Sequence, residues 1–142
     1  MSLFRALDIS GSALTAQRLR AEVTAANLAN AETTSTPEGG PFRRKHVVFA
    51  GERPPLAGGL RNAEVRARGV QVQQVLEDRS QPQRRYEPGH PQADAEGYVA
   101  FPAIDPVEEM VNLMSAVRAY QLNVTAVQAS KNLIMQSLEI VR

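Results

Sequence analysis

The chain has 142 residues, of which 43% are hydrophobic and 5% aromatic, with a formal net charge of +1 at pH 7 and no cysteine. This length predicts one folded unit, and the near-neutral charge gives no electrostatic case for binding nucleic acid or an anionic membrane. The lack of cysteine excludes disulfides and thiolate chemistry. The N-terminus does not have the basic and apolar regions of a cleaved secretory signal, and no apolar run approaches the roughly 18 residues of a membrane span. The sequence therefore predicts a soluble protein without direct membrane insertion.

Residues 1–30 predict an N-terminal core helix, because they contain no proline and their apolar residues are periodic. One stripe recurs every seven positions: Leu7, Leu14, Ala21 and Leu28. A second stripe lies on roughly the opposite side of the helix: Ile9, Ala16 and Val23. One partner helix cannot cover both stripes. Asn27 and Asn30 are candidate stops for this helix.

Residues 31–104 predict an outward β- and turn-rich middle segment. All nine prolines lie between Pro37 and Pro106, and eight of the nine glycines lie between Gly39 and Gly97. Residues 43–49 predict one short strand, and residues 65–76 predict one or two more, with alternating sides over residues 70–75. The Pro- and Gly-rich stretches 36–41, 54–59 and 88–91 predict turns.

Residues 105–142 predict a C-terminal core helix. Asp105 is the expected N-cap, Pro106 occupies the first helical position, and Glu108 is placed to close a capping box. A heptad seam with alternate spacings of three and four follows: Met110, Leu113, Val117, Tyr120, Val124, Val127, Lys131, Ile134, Leu138 and Val141. This pattern is typical of a helix that lies along another helix at a shallow angle. We expect the two terminal helices to pair as an antiparallel-type coiled coil.

The C-terminal helix also carries large apolar residues off the seam: Met114, Leu122, Leu133, Met135 and Ile140. Between residues 112 and 130 the only formal charge is Arg118. Helices that are apolar nearly all round are buried, and a chain of this size offers little else to bury them. We therefore predict a mainly α fold with a small β-rich middle domain, and an assembly interface formed by the apolar seam together with Leu7, Leu14 and Leu28.

Candidate chemistry is sparse. His46 and His90 are the only histidines, 44 residues apart, which does not favour a metal site. Asp94 and Glu96 are either paired catalytic carboxylates or, as the flanking Pro91 and Tyr98 favour, a polar turn. The basic run 43–46 either contacts phosphate or nucleic acid, or forms a solvated strand face or an intersubunit ion-pair site. The low net charge favours the last two. The sequence therefore predicts no catalytic residue, cofactor or metal, and no enzymatic activity.

Residues 3–18 and 27–31 resemble the N-terminal motif of the bacterial flagellar rod, hook and filament-type axial proteins. Residues 36–45, 88–99 and 107–123 narrow the resemblance to the short proximal-rod members of this family, over nearly the whole chain. Departures are small. Phe42 stands where tyrosine is common in the family, and Ala103 stands where an asparagine is usual after the proline.

The resemblance implies a structural subunit of the proximal rod, which transmits motor torque and assembles with copies of itself and other rod proteins. Such subunits pass unfolded through the flagellar type III export apparatus, without a cleaved signal, and polymerise in the periplasm. Their terminal helices form an inner coiled-coil layer around the channel. The alternative is a soluble helical adaptor or export chaperone that dimerises through the seam. That alternative predicts charged residues beside the seam, and these are absent.

Overall fold

The computed structural model describes residues 3–51 and 69–140, which form two long helices and two small antiparallel sheets. The order is α1 (Leu3–Ala29), β1 (Lys45–Gly51), β2 (Val70–Glu77), β3 (Gln83–Tyr86), β4 (Tyr98–Phe101) and α2 (Pro106–Ile140). This order confirms the mainly α fold with a small β-rich middle, while the predicted division at residues 30 and 104 stays a prediction about domains. Within the described ranges, no helix is both long and apolar enough to span a bilayer.

The predicted N-cap of α2 at Asp105 is present, but the predicted capping box is not closed, because Glu108 Oε1 accepts a hydrogen bond from Arg44 instead. The Asp105 Oδ1 atom accepts hydrogen bonds from the backbone N–H groups of Val107 at 2.8 Å and Glu108 at 3.4 Å. Pro106 follows as the first helical residue, where a missing N–H costs nothing. These bonds satisfy two of the donors that a helix start leaves without an intrahelical partner.

The end of α1 was predicted only in part. Asn30 follows the last helical residue, and its Nδ2 atom donates to the carbonyl of Ala26 at 2.8 Å, as expected of a stop. Asn27 is wrong as a stop, because it lies inside the helix. Its side chain is occupied in tertiary contacts, which a sequence pattern does not reveal.

Helices α1 and α2 pack against each other, and the C-terminal end of α1 meets the N-terminal end of α2. Ala16 on α1 and Ala116 on α2 are almost fully buried. The less exposed face of α2 follows a three-four spacing: Glu109, Asn112, Leu113, Ala116, Ala119, Asn123, Val124, Val127, Ser130 and Ile134. In the first half of α2 this face is rotated by about one residue position from the predicted heptad seam. Small and polar residues therefore stand on it where the large residues Met110, Val117 and Tyr120 were expected.

Strands β1 and β2 form an antiparallel pair that packs on α1. The Ser12 Oγ atom on α1 accepts a hydrogen bond from the N–H of Val70 at 3.0 Å, which attaches the start of β2 to the helix. The predicted alternation of β2 breaks at a bulge, because Val48 pairs with Gln74 and Phe49 pairs with Val72. Beyond the bulge both faces of β2 are exposed. The predicted turn 54–59 and residues 65–68 lie outside the described residues.

Strands β3 and β4 form a second antiparallel hairpin, which the sequence analysis missed. Four-residue strands are too short to show a clear alternation, and β3 consists of Gln, Arg, Arg and Tyr with every residue exposed. On β4, Val99 and Phe101 are buried. The Tyr86 and Tyr98 rings pack edge to face with centroids 5.4 Å apart, which stabilises the end of the hairpin next to its connecting loop.

Candidate assembly surface

A buried polar junction joins α1, β1 and α2. Asn27 is 2% exposed, and its Nδ2 atom donates to Glu109 Oε2 at 2.9 Å and to the carbonyl of Lys45 at 2.8 Å. Its Oδ1 atom accepts from the N–H of Lys45 at 2.9 Å. One amide side chain thus satisfies both backbone groups of the first residue of β1 and one carboxylate oxygen of α2, so it fixes the relative positions of all three elements.

Glu109 is also 2% exposed, and its charge is neutralised by Arg44. The Nε atom of Arg44 donates to Glu109 Oε1 at 2.8 Å, Nη2 contacts the same oxygen, and Nη2 also donates to Glu108 Oε1 at 2.7 Å. Partial burial lowers the pKa of Arg44, but its hydrogen bonds to Glu108 and Glu109 outweigh that effect and raise the pKa overall. The guanidinium therefore remains charged.

This junction was not predicted. The basic run 43–46 was expected to form a solvated face or an intersubunit ion pair, but Arg44 is used inside the subunit. The partners of the junction are separated by 18, 65 and 82 positions, so no periodic pattern connects them. The sequence offered one signal of this junction: Asn27 and Glu109 interrupt otherwise apolar helix faces. Polar residues that are buried in this way need hydrogen-bond partners.

The face of α2 that points away from α1 carries an exposed apolar stripe in its first half. It comprises Val107, Met110, Val111, Met114 and Val117, with exposed fractions from 43% to 68%. Met114 and Ala116 are two residues apart, hence about 200° apart around the helix, so the stripe lies opposite the contact with α1. We call this set the outer stripe. Large contiguous apolar patches on a subunit mark interaction surfaces.

The predicted interface residues divide into two groups. Those that are half-buried within the subunit are Leu7, Leu14, Leu28, Leu113, Val124, Val127 and Ile134. Those that are exposed are Met110, Val117, Tyr120 and Leu138. Val141 lies outside the described residues. Their role in contacts between subunits stays a prediction.

The residues considered for chemistry have structural roles. Asp94 and Glu96 lie in the turn between β3 and β4, and the Asp94 Oδ1 atom accepts from the N–H groups of Tyr98 at 2.8 Å and Glu96 at 3.0 Å, which confirms the polar turn. His46 Nε2 lies 3.7 Å from Asp78 Oδ2. His90 Nδ1 accepts from the N–H of Gln92 at 3.1 Å. In the two described ranges, no group of three or more metal-ligating side chains comes together.

Two family models match the ends of the chain. The model described as "Flagella basal body rod protein" matches residues 7–35, and the model described as "Flagellar basal body rod FlgEFG protein C-terminal" matches residues 95–140. The matched ranges contain most of α1, the β4 strand and all of α2. Because both terminal helices lie in these matched ranges, the protein is a subunit of the flagellar axial class.

Similar proteins cover the whole chain. Flagellar basal-body rod protein FlgC of Escherichia coli O157:H7 is 44% identical over 140 residues, which cover 99% of this chain and 98% of the relative. FlgC of Salmonella typhimurium is 43% identical over 141 residues, with the same coverage, and FlgC of Bacillus subtilis (strain 168) is 42% identical over 149 residues, with 99% coverage of both chains. The chain belongs to the FlgC family of flagellar basal-body rod proteins. It is a structural subunit of the rod in the flagellar basal body, and not an enzyme.

Proposed function

We propose that this subunit builds the proximal rod through its two terminal helices, with the outer stripe of α2 packing against helices of adjacent subunits. In this arrangement the helices form an inner coiled-coil layer around the export channel, and the β-rich segment faces outward. The rod transmits torque because such contacts are continuous along its length. The neighbours are copies of this chain and other rod proteins.

The observation that carries this proposal is the outer stripe. Five large apolar side chains at helical spacing are exposed in the subunit, on the side of α2 that α1 does not cover. Burying a side chain of this size contributes roughly 1.5–3 kcal/mol, so a stripe of five is large enough to drive association. Association with neighbours therefore supplies the burial that one subunit lacks.

The route to the rod is part of the same proposal. The subunit passes through the flagellar type III export apparatus as an unfolded chain, without a cleaved signal, and folds and assembles in the periplasm.

The test places a charge in the outer stripe. We expect Met110→Asp to abolish rod assembly, because assembly would desolvate an unpaired carboxylate at a cost of several kcal/mol. The subunit itself should remain folded, since the Met110 side chain is 53% exposed and a carboxylate there stays in contact with water in the isolated subunit. Rods are counted by electron microscopy of basal bodies, and secreted subunit is measured by immunoblot.

The matched control is Gln128→Asp. Gln128 lies 18 residues, or five helical turns, after Met110, so it has the same angular position on α2, but it stands outside the apolar stripe. It should leave assembly near the level of the unmodified chain. Normal rods from the Met110→Asp variant would show that the stripe is not an intersubunit surface.

A further inference from the structure

A cavity of ≈ 250 Å³ opens where α1, β1 and α2 meet, beside the buried junction. Helix α1 contributes Arg20, Val23 and Thr24 to its wall, and α2 contributes Asn112. We call this cavity the notch. The Glu109 carboxylate also reaches it, but that charge is already neutralised by Arg44.

Three polar side chains that line the notch lack partners. Arg20, Thr24 and Asn112 make no hydrogen bond or ion pair in the part of the chain that the structure describes. Thr24 is 6% exposed as a residue, and its side chain forms part of the notch wall. In the free subunit water can solvate these groups, but a neighbour that covers the notch would leave them without partners unless it supplied some.

The chemistry of these groups is that of an anion receptor. Arg20 supplies a guanidinium that is always charged, Asn112 supplies amide N–H groups, and Thr24 supplies a hydroxyl that is able to donate. Arg18, two residues away, shows the contrast: its Nε atom donates to Glu22 at 2.8 Å along the exposed side of the same helix. Arg20 has no equivalent acid among the described residues, so its guanidinium is available to an acid from outside the subunit.

We propose that the notch receives a carboxylate side chain of an adjacent rod subunit, bound by Arg20 with Asn112 and Thr24. This inference rests on the proposed function, in which assembly covers the helix pair. When a neighbour excludes water from the notch, an unpaired guanidinium becomes costly, whereas an Arg–carboxylate pair with further hydrogen bonds is favourable and selects one register. The outer stripe provides the burial, and the notch provides the specificity.

The experiment uses carbodiimide coupling in assembled rods. The substitution Arg20→Lys keeps the charge and supplies an amine that carbodiimide joins only to a carboxylate in contact with it. Rods isolated from the parent bacterium carrying this substitution are treated, separated on a denaturing gel and mapped by mass spectrometry. We expect a product of two joined chains, linked through position 20 to an aspartate or glutamate of the neighbouring chain.

The matched control is Arg18→Lys, which should couple to Glu22 within one chain and give no joined pair. Rods carrying Arg20→Lys that couple only within one chain, or not at all, would overturn the inference and leave the proposed function intact. Failure of the unmodified chain to restore rods in a deletion strain would instead contradict the proposed function.

Charge reversal gives a second, independent measurement if Arg20→Lys assembles poorly. We expect Arg20→Glu to lower the number of rods at least about tenfold, as for loss of a desolvated charge pair, while Arg18→Glu stays close to the unmodified chain. The purified Arg20→Glu subunit should keep its circular dichroism spectrum. Normal rod numbers with Arg20→Glu would overturn the inference. It would also be overturned if the notch of the unmodified subunit bound inorganic phosphate and the treated rods contained no joined chains.

Discussion

Asn27, near the end of α1, donates a hydrogen bond of 2.9 Å to the carboxylate of Glu109, in the first turns of α2, although 82 positions separate the two residues. Both side chains are almost completely buried. Because Asn27 also pairs with the backbone of Lys45, this contact couples the helix pair to the first strand of the middle segment. The junction therefore makes the fold of the middle segment a condition for close packing of the helices.

Replacing Asn27 with Ala should destabilise the subunit. The change leaves Glu109 Oε2 and the backbone groups of Lys45 without their partner, at about 1–3 kcal/mol for each group that stays buried. Urea unfolding followed by circular dichroism measures the change. Asn30→Ala is the matched control, since its side chain bonds only to nearby groups at the helix end, the Ala26 carbonyl and Thr33. Equal effects of the two changes would contradict the central role of Asn27.

Arg44→Ala should cost roughly 3–5 kcal/mol of unfolding free energy, because it leaves the buried Glu109 carboxylate without its counter-charge. Arg44→Lys should recover only part of this, since lysine lacks the planar fork that reaches both carboxylates. Arg43→Ala, at the exposed neighbouring position, should stay within about 0.5 kcal/mol. Replacing Arg44 and Glu109 together by apolar residues of similar size should lower the free energy of unfolding less than Arg44→Ala alone. If the loss in the double variant equalled the sum of the losses in the two single variants, direct pairing of the two residues would be contradicted.

Ile134 and Leu138 occupy successive positions of the predicted seam, but the structure separates their roles. Ile134 is half-buried on the face that follows α1, whereas Leu138 is 67% exposed. We expect Ile134→Asp to lower subunit stability by several kcal/mol, because the carboxylate would be partly buried without a partner. We expect Leu138→Asp to leave the subunit stable and to impair rod assembly. Gln136→Asp, off the seam, should change neither urea unfolding nor rod counts.

The β3–β4 hairpin should weaken at low pH through Asp94. The pKa of this carboxyl is lowered chiefly by the hydrogen bond from the Tyr98 N–H, with Arg84 and the Glu96 N–H adding to it against an opposing effect of desolvation. Because the folded pKa lies below the unfolded one, ionised Asp94 stabilises the hairpin fully at any pH above the unfolded pKa of about 3.9. This stabilisation is lost as the pH falls through the folded pKa.

Hydrogen exchange of the Tyr98 amide and an NMR titration of the Asp94 carboxyl test this dependence. Asp94→Asn is the control, because it keeps an acceptor oxygen but cannot titrate, so its hairpin should show no acid transition from this site. An Asp94 titration midpoint at or above the ordinary value would contradict the prediction.

Gly97 should not tolerate a side chain. Its φ of +82° is unfavourable for other residues, and an added Cβ would lie 2.9 Å from the Tyr86 ring and 3.3 Å from Pro88. Gly97→Ala should therefore destabilise the hairpin by roughly 1–3 kcal/mol and separate the Tyr86 and Tyr98 rings, seen as loss of their NMR cross-peaks. Gly89→Ala has open space around it and should leave the cross-peaks unchanged.

The sequence alone determined the two terminal helices, the cap at Asp105 and the resemblance to flagellar axial proteins. These features are local, since caps, proline placement and apolar periodicity act within a few residues of one another. The excess of apolar residues on α2 also identified a subunit that needs neighbours, which the exposed outer stripe supports.

Only the tertiary structure decided which face of α2 meets α1. Large seam residues were expected to face the partner helix, but Ala116 is fully buried on α2, whereas Met110 and Val117 are exposed. The tertiary fold also forms the buried junction and the notch, whose residues are far apart in the chain. Periodicity reports how apolar a face is, but not how close two backbones come, and that distance depends on residues far apart in the chain.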